Sequence, residues 1–345
     1  MMLAGLLFFY RSVAKRAKPI ETPIDKVWWD VLSEEWQTIF IISQSFQQQR
    51  VNIYSIQEDY INRMNSGGEE NYSEMNKPLY DFVDMKRFGL SYYDFYARAL
   101  RTNYVVKNEK IDLSTLATLD EIYMVNGPGD LTPLKNFPNL KVLIINHCGG
   151  GYNIPLKKQL LDLEPLRHLQ KLEILHCSSH VLESLEPIED LVNLRELDCG
   201  NSGVTSLAPL KKLVNLRSLT VGSKVENVGV VSGLANLEEL YIKGCKKVPD
   251  LARLKKLKKL SVGENEMAIV SGKYRIIDID FLKKLTGLQF LDLSKTSYKG
   301  SLTMLDSFQN LKAFALPPVS SFIKLEFKKS HPDCIILNAY GIESF

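Results

Sequence analysis

Leu191-Val-Asn-Leu194-Arg-Glu-Leu197-Asp-Cys199 is the stretch from which the fold is read. Its template, apolar-x-x-Leu-x-x-apolar-x-apolar, returns at Phe137-Pro-Asn-Leu140-Lys-Val-Leu143-Ile-Ile145, at Leu234-Ala-Asn-Leu237-Glu-Glu-Leu240-Tyr-Ile242 and at Leu285-Thr-Gly-Leu288-Gln-Phe-Leu291-Asp-Leu293. With the central leucine as anchor, nine units stand at Leu119, Leu140, Leu172, Leu194, Leu216, Leu237, Leu257, Leu288 and Leu311, separated by 21, 32, 22, 22, 21, 20, 31 and 23 residues. A period near 22 residues with two insertions describes a solenoid. One unit of that size cannot bury its own leucines, so its neighbours must cover them and the two ends need caps.

Within each unit the alternation predicts a short strand. Leu143 and Ile145 enter the core, while Ile144 and Asn146 face outward. Stacked side by side, such strands make one parallel sheet. The units resemble leucine-rich repeats. The linking phrases Ser184-Leu-Glu-Pro-Ile188 and Ser206-Leu-Ala-Pro-Leu210 are similar to the 22-residue class found in internalins and in a regulatory subunit of protein phosphatase 1. The resemblance implies an α/β fold, a leucine-rich-repeat solenoid with its curved parallel sheet on the concave side and a helical N-terminal cap. It also implies a protein-protein interaction scaffold that binds a macromolecular partner and is not an enzyme. The family's asparagine-ladder position is filled by Cys148, Cys245, Asn265 and Thr296, which are acceptable substitutes, and by His180, Ser202, Lys224 and Val319, which make the ladder irregular.

Outside the repeats the character changes. The chain divides into a tail at 1–17, a helical cap region at 18–103, the solenoid at 104–320 and a C-terminal cap at 321–345. Residues 18–103 hold Trp28, Trp29 and Trp36, many tyrosines and no 22-residue period. The stretch WWDVLSEEWQTIF, Trp28 to Phe40, looks like the leader of bacterial leucine-rich-repeat proteins, a resemblance that brings no activity with it. Ser33 precedes an apolar run as a helix cap does, and Ile56 to Met64 and Ser91 to Leu100 also read as helices. The polar run Asn65 to Ser73 reads as a loop. This region is either a cap over the first repeat's open edge or an independent binding or effector domain. Tyr104 to Val106 reads as an irregular first strand with Ile111-Asp-Leu113 as its return. At the far end, Phe322 to Phe327 and Cys334 to Leu337 read as a terminal strand pair closing the sheet edge.

Composition sets limits on function. With 45% apolar residues the chain folds, and 43 basic against 40 acidic side chains leave a net charge of only +3. A polyanion partner is therefore not expected, and no nucleic acid is assigned. Five cysteines without a Cys-x-x-Cys pair describe neither a disulfide framework nor a zinc site, so the compartment is read as reducing and cytoplasmic. The apolar run Met1 to Tyr10 precedes Arg11, Lys15, Arg16 and Lys18, the reverse of a secretory signal, and is about half the length of a membrane span. It either packs on the body or gives peripheral membrane contact through Met1 to Lys18. The second choice makes the protein a membrane-surface or envelope-associated adaptor.

No catalytic residue, metal ligand or cofactor is assigned. His176-Cys177-Ser-Ser-His180 contains ligand types, but register sends Cys177 inward and His176 outward, so the two cannot converge on one ion. Cys177 and Cys199 occupy the same inward position in successive units and should stack in the core, with an oxidised pair as the alternative. His176 and Asp198 share an outward column, where a histidine-carboxylate pair is expected beside Thr220 as a surface polar ladder. Gly149-Gly-Gly151 lacks the Lys-Ser/Thr of a phosphate loop.

Projecting the register outward gives the expected partner-binding face: Tyr123, Val142, Ile144, Asn146, Ile174, His176, Glu196, Asp198, Thr220, Tyr241, Lys243, Phe290 and Asp292, with Ser218, Glu239, Lys259 and Ser261 among them. The partner is read as a protein, anchored on apolar and aromatic residues beside charges. The alternative is that Val142, Ile144 and Ile174 are strand formers covered by the insertion after Cys148. The two insertions, Gly149 to Leu160 and Glu266 to Asp278, are further recognition candidates. The paired lysines at 211–212, 246–247, 255–256, 258–259 and 283–284 read as a solvated face, with a basic ridge as the alternative.

Overall fold

Ile122, Leu143, Leu175, Leu197, Leu219, Leu240, Leu260, Leu291, Phe314 and Ile336 hold one register position in ten consecutive parallel strands. None is more than 2% exposed. This row is the spine of the core in a computed structural model that describes residues 24–48, 111–125, 127–146, 161–242, 244–245, 248–262, 275–276, 280–294, 296–297, 302–317, 320–338 and 341–342. The expected elements at Met1 to Lys18, Ile56 to Met64, Asn65 to Ser73, Ser91 to Leu100 and Tyr104 to Val106 lie outside the described residues, as do the insertion Gly149 to Leu160 and Lys243.

The strands are β1 (Glu121–Val125), β2 (Val142–Asn146), β3 (Ile174–His176), β4 (Glu196–Cys199), β5 (Ser218–Val221), β6 (Glu239–Tyr241), β7 (Lys259–Ser261), β8 (Arg275–Ile276), β9 (Phe290–Asp292), β10 (Thr296–Ser297), β11 (Ala313–Ala315), β12 (Ile335–Asn338) and β13 (Gly341–Ile342). The main sheet runs from β1 to β13 in chain order without β8 and β10, which form a separate parallel pair. All its neighbours are parallel until β13, which turns back on β12. Each of the nine anchor leucines is buried two residues ahead of its strand. At roughly 2 kcal/mol for a buried leucine side chain, that row is a main source of cohesion between units.

Two further sets of hydrogen bonds recur along the stack, one within units and one between them. Before successive 3-10 turns the side chains of Asp130, Asp162, Ser184, Ser206, Asn227 and Asp250 each accept the N–H two residues later, at 2.8 to 3.3 Å. The asparagine ahead of the anchor leucine donates to the previous unit: Asn193 to Gln170 O, Asn215 to Val192 O and Asn236 to Val214 O, at 2.7, 2.8 and 3.0 Å. Each therefore satisfies a carbonyl that neighbouring strands cannot reach. At the expected ladder position, Ser202 Oγ donates to Cys199 O at 2.7 Å and Thr296 Oγ1 to Leu293 O at 2.6 Å. Ser202 thus does the same local work as threonine, while His180 and Lys224 are exposed.

The first unit is covered by helices. In α1 (Lys26–Asp30) and α2 (Glu34–Gln48) the rings of Trp28, Trp36 and Phe40 gather on Phe137, with Phe40 and Phe137 4.8 Å apart. Ser33 caps α2 as expected, accepting from Trp36 N at 3.3 Å. Gln44 imitates a strand: its amide donates to Asp112 O at 2.8 Å and accepts from Asp112 N at 3.1 Å. Gln47 repeats this between Thr118 O and Asp120 N. Backbone groups at the open end are thereby paired without another strand.

Two local expectations are corrected. Ile111-Asp-Leu113 is not a return strand: Asp112 accepts from Ser114 N and caps the short helix α3 (Leu113–Leu116). Phe322 to Phe327 is helical, part of α4 (Ser321–Ser330), capped by Ser320. Ile323 and Phe327, four apart, turn one side of α4 inward, where Phe327 meets Phe314 edge-on at 5.0 Å. Phe322 and Leu325 are left exposed. Helical spacing and strand alternation are not distinguished there because the apolar residues are too few to fix a period. The second half of that expectation holds, since β12 extends the sheet.

Candidate interaction face

Two columns line the sheet face opposite the core, the face the resemblance makes concave. The first runs Glu121, Val142, Ile174, Glu196, Ser218, Glu239, Lys259 and Phe290; the second runs Tyr123, Ile144, His176, Asp198, Thr220, Tyr241, Ser261 and Asp292. Every described residue of the expected face falls in one of these columns except Asn146, at the end of β2. Glu121 was missed, although it stands in register with Val142 and the same projection finds it.

The columns differ in exposure. Glu121 is exposed, and Val142, Ile174, Glu196, Ser218, Glu239 and Lys259 are half-buried. In the second column Asp198 and Thr220 are half-buried, whereas Tyr123, Ile144, His176, Tyr241 and Asp292 are 1% to 6% exposed. The expectation that Tyr123, Ile144 and Tyr241 stand out as exposed anchors is therefore corrected. Hydrogen bonds give part of the reason, because the first column's carboxylates reach over the second column's rings. Tyr123 Oη donates to Glu121 Oε2 at 2.6 Å, Tyr241 Oη to Glu239 Oε2 at 3.4 Å, and His176 Nε2 lies 2.6 Å from Glu196 Oε1. His176 is thus paired with Glu196, diagonally across the strands, and not with Asp198 as its register suggested.

The two aspartates have a structural task. Asp198 Oδ1 accepts from Ser178 Oγ at 2.7 Å and from Gly200 N at 2.9 Å. Asp292 accepts from Ser261 Oγ at 2.6 Å and from the N–H and hydroxyl of Ser294 at 2.9 and 2.6 Å. Each carboxylate closes the turn that leaves its strand. Beyond them the face becomes apolar, and Phe290 is buried with Ala313, Ala315 and Leu337.

The sulfur atoms lie on the other side of the sheet. Cys177 and Cys199 are buried free thiols side by side in the core, and burial pushes both well above the ordinary thiol range. A thiol held protonated is a poor nucleophile. Among the described residues no three His, Cys, Asp or Glu side chains gather as a metal site.

Beside the first column, at the residue before each strand, side chains of opposite charge pair between neighbouring units. Asp120 meets Lys141 at 3.0 Å, Glu173 meets Arg195 at 3.3 Å, and Glu238 meets Lys258 at 2.6 Å. Of the paired lysines of the sequence, Lys258 stands in this row, Lys259 reaches Glu239 within the first column at 2.8 Å, and Lys212, in a 3-10 turn, reaches Asp190 at 2.6 Å. The Lys258 ammonium in turn holds the Glu238 carboxyl below its usual range.

No family model and no curated protein matches the sequence. Among solved structures the chain is similar to an internalin, inlF, from Listeria monocytogenes, with 19% identity over 70% of this chain and 67% of that one and a TM-score of 0.50. It is also similar to internalin C2 of the same organism, at 20% identity, 57% and 92% coverage and a TM-score of 0.41. A leucine-rich-repeat protein of Leptospira interrogans gives 22% identity, 59% and 62% coverage and a TM-score of 0.40. At 19% identity the likeness to inlF is one of fold, and it agrees with the ten-strand parallel stack and the 22-residue period: the chain has the leucine-rich-repeat solenoid fold.

Proposed function

We propose that the chain is a protein-interaction scaffold whose partner docks on the outward face of the sheet. One observation carries the reading. Val142 and Ile174, adjacent in register, keep partial exposure near the start of a column that is otherwise polar or charged until Phe290. An outward strand position open to water is ordinarily polar, and an apolar pair kept there gains from cover that excludes water. The contact set is Val142, Ile174, Glu196, Asp198 and Thr220, to which Glu121 is added. Tyr123, Ile144, His176, Tyr241, Phe290 and Asp292 support it from beneath. Solenoids present extended surfaces of this kind to macromolecules, while the carboxylates along the column disfavour a phosphate-bearing partner.

The test is affinity capture from native lysate, wild type beside a Val142→Asp/Ile174→Asp variant whose circular dichroism and melting match. A protein lost specifically from the variant supports the reading. Identical capture profiles would refute it and move the contact to the far side, the insertions or the helical region.

A further inference from the structure

We propose that the docked segment is extended and carries an apolar side chain between two cationic ones, in the order cation, any residue, apolar, any residue, cation. This rests on the reading that the outward face docks a protein, and adds the chemistry of what docks. The open column begins Glu121, Val142, Ile174, Glu196, one residue from each of four neighbouring strands. Two carboxylates therefore bracket two aliphatic side chains. Adjacent strands lie about 4.8 Å apart, so the bracket is roughly 14 Å long. An extended chain crossing the strands advances about 3.4 Å per residue and turns alternate side chains to the same side, so its first, third and fifth residues also span roughly 14 Å on one face. The outer two meet Glu121 and Glu196, and the middle one meets Val142 and Ile174.

Charge supports the same occupant. The whole chain is formally +3, yet this column carries Glu121, Glu196 and Glu239 against Lys259 alone, and Lys259 is already 2.8 Å from Glu239. Asp198 adds a further carboxylate beside Glu196. Lys141 and Arg195, each one residue ahead of a member of the column, are matched by Asp120 and Glu173. Both bracketing carboxylates are held in place, Glu121 by the Tyr123 hydroxyl and Glu196 by the His176 ring. A prepositioned charge loses less side-chain freedom when a partner arrives.

The experiment titrates the full chain into dye-labelled peptide GKSLSKG, with GESLSEG and GKLSSKG as controls, and reads anisotropy at low and at moderate salt. The expected result is tightest binding of GKSLSKG, weakened by salt. Glu121→Gln and Glu196→Gln should each weaken it about three-fold, the scale of an exposed ion pair. Val142→Thr/Ile174→Thr should erase the advantage over GKLSSKG, whose leucine points to the other side. No binding of GKSLSKG, or equal binding of all three peptides, overturns the proposal. If the peptides bind alike while Val142→Asp/Ile174→Asp still loses a captured protein, docking stands and this chemistry falls; if capture is also indifferent, both fall.

Discussion

Truncating Phe40 to alanine tests whether the N-terminal helices cap the solenoid or merely precede it. The ring is fully buried, with its centroid 4.8 Å from that of Phe137, 5.1 Å from Trp36 and 5.7 Å from Trp28. Replacing a phenylalanine so enclosed costs about 3–5 kcal/mol. In a stack whose units touch only their neighbours, that loss falls on the end it covers. At about 1.4 kcal/mol per factor of ten, amides of β1 and β2 should exchange with deuterium about a thousand-fold faster. Those of β9 and β11, at the other end of the sheet, should keep their wild-type rates. Peptide-resolved hydrogen exchange reads both ends in one experiment. Equal acceleration along the whole sheet would show a single cooperative block, and unchanged exchange in β1 would show that the helices are not a cap.

Other outcomes follow from single contacts. A Cβ on Gly222 would lie 2.2 Å from Gly200 O in the preceding unit, whereas at Gly233 it would meet nothing within 4 Å. Gly222→Ala should therefore destabilise by about 1–3 kcal/mol and Gly233→Ala should not, as urea midpoints will show. Asn215→Ala removes the bond to Val192 O and should cost about 1 kcal/mol, with equal midpoints counting against the ladder. The thiols of Cys177 and Cys199, and that of Cys334 at about 12, titrate above their unfolded value of 9.0. The unfolded chain then releases these protons first, so stability should fall as pH rises beyond about 9. Cys177→Ala/Cys199→Ala should flatten that slope, and an unchanged slope would assign it to other groups. Glu164, held below 4.5 by two hydrogen bonds from Arg167, acts in the opposite direction. The stability it gives is present above 4.5 and lost as pH falls through its lowered value, so Glu164→Gln should differ from wild type at neutral pH and converge with it in acid.

The sequence by itself determined the repeat, the parallel stack and the register, because strand alternation and a fixed period leave one way to bury Leu143, Leu197, Leu219 and Leu240 together. It placed Cys177 inward and His176 outward for the same reason. It also located α2, through Ser33 ahead of an apolar run. Tertiary structure decided what periodicity does not encode. Side chains long enough to reach a neighbouring strand chose partners by geometry, so His176 took Glu196 and not Asp198. Exposure was decided likewise: Tyr123 and Tyr241 hold outward positions yet are buried, their hydroxyls bonded to the glutamates of the first column. The outward residues left open to solvent are consequently fewer than the register implies, and Val142 and Ile174 are the aliphatic ones among them.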